Sequence, residues 1–260
     1  MKKYLLILLL LFPLTVTAQT YQVDEYMKVD MNDNWYTFTR TNLKDNKQLE
    51  ELNITYDYLN DFMNKNSVYL DALKKESKTK DMIESFVRIK EANINNLSNY
   101  DDDFVKKVAK ELQKKINASE YDIYKNNYKY AYIKYNDQGL NIIQYYTVVN
   151  KKGYNIQFQK QNDFTKEEQE EFKNILSKIT YKINKDLKEE TNNKNKTYNY
   201  TMIGAIAGAI VGTLLVVNKN KKKKNIWKIK IRNSRIKVQL VLFLFENITI
   251  KSLLFETLMI

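Results

Sequence analysis

Residues 145–181 read YYTVVNKKGYNIQFQKQNDFTKEEQEEFKNILSKITY. The stretch begins with two β-prone runs, one ending at Val149 and one starting at Tyr154, on either side of Asn150-Lys151-Lys152-Gly153. Asn and Gly tolerate positive φ, so this punctuation predicts a hairpin. The second part places Thr165 three residues ahead of Glu168, before Phe172, Ile175, Leu176 and Ile179 at helical spacing. That is a capping box opening an amphipathic helix. A hairpin followed at once by a helix with an apolar stripe to bury sets a helix against an antiparallel sheet, which is the α+β class.

Working outward, two earlier turns have the same form, Asn126-Asn127 and Asn136-Asp137-Gln138-Gly139. Between the turns, YDIYK, YKYAYIKY, LNIIQYYTVV and YNIQFQK, starting at Tyr121, Tyr128, Leu140 and Tyr154, read as four strands of a meander. Further strands are predicted at 35–40 (WYTFTR), 67–75 and 81–91. A helix is expected over about 54–64, with Tyr58, Leu59, Phe62 and Met63 on one side. Another is expected to begin at NYDDD (99–103) and to run through FVKKVAKELQKKI, with Phe104, Val105, Val108, Leu112 and Ile116 in a stripe. The expected domain is a mainly antiparallel sheet covered by about three helices, spanning residues 19–190. The only proline is Pro13, so every later turn relies on Asn, Asp and glycine.

This order of elements, with WYTFTR early and the hairpin-plus-helix ending, resembles the PsbP/Mog1-like domains of exported bacterial proteins over roughly residues 30–183. The layout is also similar to that of Gram-positive membrane proteins carrying a signal peptide and a C-terminal anchor. The resemblance implies a binding or assembly role and transfers no catalytic residue.

The flanks specify targeting. MKKYLLILLLLFPLTVTAQT has a basic start, an apolar run and small residues before Gln19, which is the pattern of a secretory signal peptide over 1–18; an uncleaved anchor is the alternative. Residues 201–217 lack any charge and would span about 25 Å as a helix. Tyr198 and Tyr200 border this run on one side and KNKKKK (219–224) on the other. Interfacial aromatics and cytoplasmic lysines orient it as a transmembrane helix, with 191–200 as juxtamembrane linker, the domain outside and the C-terminus in the cytoplasm at the cell membrane. A buried core helix is the competing reading. Gly204, Gly208 and Gly212 lie one helical face apart and form a glycine zipper for homo-oligomerisation, or are the small residues common in membrane helices. The tail 218–260 is basic and then apolar but broken by charges. It reads either as a membrane-surface segment or as a stretch without a selected fold.

The net charge of +12 is localised. Residues 20–200 carry 30 basic and 29 acidic side chains, whereas 218–260 carry 11 and 2. A nearly neutral domain gives no phosphate-tracking surface, so nucleic acid is not an expected partner. Without cysteine or histidine there are no disulfides, no thiol or imidazole catalysis and no Cys/His zinc site. Asp101-Asp102-Asp103 lacks the spacing of a calcium loop and is better explained by helix capping. No carboxylate pair or Ser-Lys pattern stands out, so neither an enzyme nor a cofactor is expected. Tyr128, Tyr130 and Tyr132 alternate and share one face of their strand. They are either a ligand face, for a cell-wall glycan or an envelope protein, or the buried side of the sheet.

Overall fold

The computed structural model describes residues 18–75 and 81–184. Strands β1 (Ala18–Gln22), β2 (Met27–Asn32) and β3 (Trp35–Thr39) come first, followed by helices α1 (Gln48–Glu51) and α2 (Tyr56–Lys65). Strands β4 (Val68–Lys74) and β5 (Glu84–Glu91), a 3-10 turn at Leu97–Asn99 and helix α3 (Asp102–Ile116) lead into the meander. The meander is β6 (Glu120–Lys125), β7 (Lys129–Asp137), β8 (Leu140–Val149) and β9 (Lys152–Lys160), and the described chain closes with α4 (Lys166–Ser177) and β10 (Ile179–Tyr181). The fold is α+β, with two antiparallel sheets and four helices among the described residues.

The large sheet has the order β3-β4-β5-β9-β8-β7-β6, so β9 returns from the meander to pair with β5 in the middle. Two hairpins turn on residue pairs with positive φ: Gln138-Gly139 between β7 and β8, and Asn150-Lys151 between β8 and β9. Two such residues between paired strands match the right-handed strand twist. Gly153 takes no part in the second turn. It lies within β9, at a normal φ.

Directly paired residues project to the same side of a sheet, so the register sorts the core. The row Val87, Ile156, Tyr145, Tyr132 lies on one face. This face packs against α4 and the small sheet, with Phe158 stacked on Phe172 at a centroid distance of 4.1 Å. The row Phe86, Gln157, Gln144, Ile133 lies on the other face. There α2 sits on β4 and α3 on β6 and β7, and each helix closes its own apolar cluster.

The small sheet β1-β2-β10 was not among the expected elements. In β2, Met27, Val29 and Met31 turn inward while Lys28 stays exposed, the alternation of a half-buried strand. Ile179, expected on the stripe of the last helix, instead pairs with Val29 in β10. The helix stops because Lys178 caps it, its N–H bonding to the Ile175 carbonyl, and β2 offers the next residues an open edge. A fourth helix, α1, also exceeds the expected three; it is a single turn that buries Leu49.

Among the described residues no helix is long and apolar enough to cross a membrane. The expected signal peptide apart from Ala18, the linker, the span 201–217 with Gly204, Gly208 and Gly212, and the tail all fall outside the described residues.

Candidate functional site

The alternating tyrosines lie on the α4 side of the sheet. Tyr130 is fully buried among Tyr124, Tyr145 and other rings, and burial pushes its phenol well above the usual range. Tyr128 is half-buried; its ring packs edge-on against Tyr181 at 4.7 Å and its hydroxyl accepts the Tyr181 N–H at 3.1 Å. Tyr132 is half-buried against Tyr145, its phenol pushed up to about 12 by burial and secondarily by Glu120 and Asp122. The β7 alternation does bring the three together, on the side where α4 docks: Tyr124 donates to the Lys173 carbonyl at 3.4 Å and Asn126 to the Leu176 carbonyl at 3.1 Å.

The acidic run 101–103 serves α3. The Asp101 carboxylate accepts the Phe104 N–H at 2.8 Å as an N-cap, and Asp102 pairs with Lys125 at 2.6 Å and Lys129 at 3.1 Å. Those two lysines hold the Asp102 carboxyl below its usual range. Among the described residues no three carboxylates gather as a metal site.

A different group of side chains is brought together on the other face of the sheet. On this face, which α2 and α3 cover, the central strands β5, β9 and β8 carry a floor of polar residues: Glu84 and Arg88, Asn155, Gln157 and Gln159, and Gln144. All six are buried, each at most 4% exposed. Asp71 of β4, also buried, projects to the same face as the partner of Phe86.

These groups are wired in order. Arg88 Nη1 donates to Gln157 Oε1 at 2.8 Å, Gln157 Nε2 donates to Gln159 Oε1 at 3.0 Å, and Gln159 Nε2 donates to Glu84 Oε2. Each amide therefore turns its oxygen toward the guanidinium and its N–H toward the carboxylate. Head-to-tail alignment of this kind strengthens every bond in a low-dielectric setting. Gln144 Oε1 accepts from the Tyr135 hydroxyl at 3.2 Å, and the Arg88 guanidinium lies 4.8 Å from the Phe86 ring centre. Burial lowers the Arg88 pKa, opposed by Tyr135, Glu84 and Asp71. On α2 the Tyr58 phenol is pushed up to about 12, first by burial and then by Glu84 and Asp71.

Three members of the floor keep polar atoms without a hydrogen-bond partner: Arg88 Nε, Gln144 Nε2, and both amide atoms of Asn155. Buried polar groups are nearly always satisfied, so a concentration of exceptions in one place requires an explanation. The sequence reading did not single out these residues. Alternation in YNIQFQK marks Asn155, Gln157 and Gln159 as one face, but a polar face is ordinarily taken to point at solvent.

No protein-family profile matches the chain. No curated protein matches it in sequence. Among solved structures it is similar to the cyanobacterial PsbP (CyanoP) of Synechocystis sp. PCC 6803, with 10% identity and a TM-score of 0.38 over 64% of this chain and 94% of that one. It is also similar to a protein of Bacteroides thetaiotaomicron VPI-5482, with 12% identity and a TM-score of 0.33 over 60% of this chain. That overlap spans 45% of the Bacteroides chain.

Proposed function

We propose that this chain is a single-pass, membrane-anchored protein whose extracytoplasmic PsbP/Mog1-like domain is a non-enzymatic binding or assembly module. The observation that carries the reading is the uncharged run 201–217 abutting KNKKKK. A charge-free helix of that length is at the short end of what crosses the hydrocarbon core, and the lysine block keeps its C-terminal end on the cytoplasmic side. A nearly neutral domain lacking thiol and imidazole groups fits recognition better than covalent catalysis. Gly204, Gly208 and Gly212 supply a close-packing face through which two copies associate in the membrane.

The absence of cysteine makes topology directly measurable. A membrane-impermeant maleimide added to intact cells is expected to label an Asn127→Cys variant, whose site is an exposed loop, and to reach Lys221→Cys only after permeabilisation. Labelling of Lys221→Cys in intact cells, or recovery of the protein free in the medium, would overturn the anchored reading. In the same cells Gly208→Leu is expected to abolish self-cross-links seen with the parent chain.

A further inference from the structure

The two edges of the large sheet are finished differently. At β3 the outer backbone groups are occupied by side chains from residues 42–48: the Thr37 N–H donates to Gln48 Oε1 at 2.9 Å, Asn46 Nδ2 donates to the Thr37 carbonyl at 3.0 Å, and the Thr39 N–H donates to Asn42 Oδ1 at 2.7 Å. At the opposite edge β6 pairs with β7 alone, and among the described residues no side chain bonds its backbone. Glu120, Asp122 and Lys125 of this strand are exposed, and Tyr121, Ile123 and Tyr124 are half-buried. Such an edge presents a row of backbone N–H and C=O groups, a template for one more strand. Lys106 of α3 reaches Asp122 at 3.8 Å, but both side chains are more than half exposed, and a pair of that kind contributes too little to close the edge.

We propose that β6 pairs antiparallel with β6 of a second copy, so that the two large sheets become one. The pairing rests on the reading of the chain as membrane-anchored and supplies the contact between the two extracytoplasmic domains. Such a dimer has its two-fold axis normal to the sheet, which keeps like faces on the same side. The small sheet with β10, the last described strand, lies on the α4 face. Both copies therefore lead their chains away on one side, as two anchors in one membrane require. Confinement to that membrane raises the effective concentration of the two edges, so a short contact suffices. The axis must pass beside a residue that faces its own copy. At Asp122 it would oppose two carboxylates, and at Tyr121 it would set Glu120 against the partner's Asp122; like charges directly opposite are destabilising. At Tyr124 it would leave half the strand facing the β6–β7 turn. At Ile123 the overlap is longer: Ile123 meets its own copy, Asp122 the partner's Tyr124 and Tyr121 the partner's Lys125. The sequence EYDIYK is thus self-complementary about Ile123.

The test uses the full cysteine-free chain in membranes of expressing cells, oxidised in air with copper phenanthroline and separated on non-reducing gels. Ile123→Cys is expected to give a disulfide-linked dimer, because directly opposed Cα atoms lie about 4.5–5.5 Å apart, within disulfide reach. Tyr121→Cys, Asp122→Cys and Tyr124→Cys are each expected to give less than about a fifth as much, because each faces a different residue of the partner and lies out of reach of its own copy. Ile123 is half-buried against α3, so a second pair keeps the test independent of that substitution. Co-expressed Asp122→Cys and Tyr124→Cys chains carrying different tags are expected to cross-link to each other. Equal yields at all four positions mark random collision and would overturn the assignment. So would the absence of dimer from both Ile123→Cys and the mixed pair, in proteins that melt with the parent in detergent micelles. Maleimide topology is read independently. A correctly anchored protein without these dimers refutes the edge contact and leaves the anchored module standing, whereas labelling of Lys221→Cys in intact cells refutes the anchor whatever the gels show.

Discussion

At the scale of single residues, Gly153 differs most from its sequence reading. Its place in Asn150-Lys151-Lys152-Gly153 marks a turn glycine, yet Asn150 and Lys151 alone supply the positive φ values. What Gly153 provides is space: a Cβ there would lie 2.5 Å from the Tyr146 hydroxyl and 3.0 Å from ring atom Cε2. Tyr146 is buried on the α3 side, so its ring has little room to retreat. Gly153→Ala is therefore expected to cost about 1–3 kcal/mol by overpacking. Adding Tyr146→Phe, which removes the nearest atom, is expected to recover part of that loss in chemical denaturation. The buried polar floor is a second residue-scale departure. Nothing in the local spacing of Glu84, Arg88 and Gln157 distinguishes them from a solvated face, because what covers them comes from elsewhere in the chain.

Among the elements, α4 follows its sequence signature closely. Thr165 accepts the Glu168 N–H at 3.2 Å, and the Glu168 carboxylate accepts the Thr165 N–H at 2.8 Å. Glu168 has a second task that the pattern does not reveal: it pairs with the buried Lys160 of β9 at 2.9 Å, tying the start of the helix to the sheet. Thr165→Ala removes the cap and leaves that ion pair in place, so a loss of about 1 kcal/mol is expected. It should appear as a lower denaturation midpoint with unchanged slope. The meander was legible because each strand is long, β-rich and bounded by Asn or Gly. β1, β2 and β10 were hidden: β10 has three residues and continues a helical stripe without a break, and β1 begins at Ala18, within the stretch whose pattern reads as targeting sequence.

For the whole molecule, the tyrosines connect the packing to a solution property. Tyr130, Tyr135, Tyr145, Tyr146, Tyr154 and Tyr181 are all buried, and burial is the largest cause raising each phenol's pKa above 10. Above pH 10 the unfolded chain releases these protons while the folded domain holds them, so stability falls as pH rises. Phenolate absorbance in an alkaline titration is expected to rise in two stages. Exposed tyrosines titrate first, and the buried set follows in a steep step coincident with loss of circular dichroism. A single smooth titration with the fold intact would contradict this packing.

Contiguous residues were enough to read the α+β class, the meander with its turns, the capping box, and the separation of a neutral stretch from a basic tail. These are local properties: strand and helix periodicities, positive-φ residues and charge runs are written in contiguous residues. Tertiary structure alone decided that β9 pairs with β5, that the tyrosine stripe faces α4, and that Arg88, Gln144 and Asn155 share one buried floor. Those outcomes depend on contacts between residues 50 or more positions apart, such as Arg88 with Gln157. Alternation specifies that a strand has two faces, and only the docking of α2, α3 and α4 decides what each face meets.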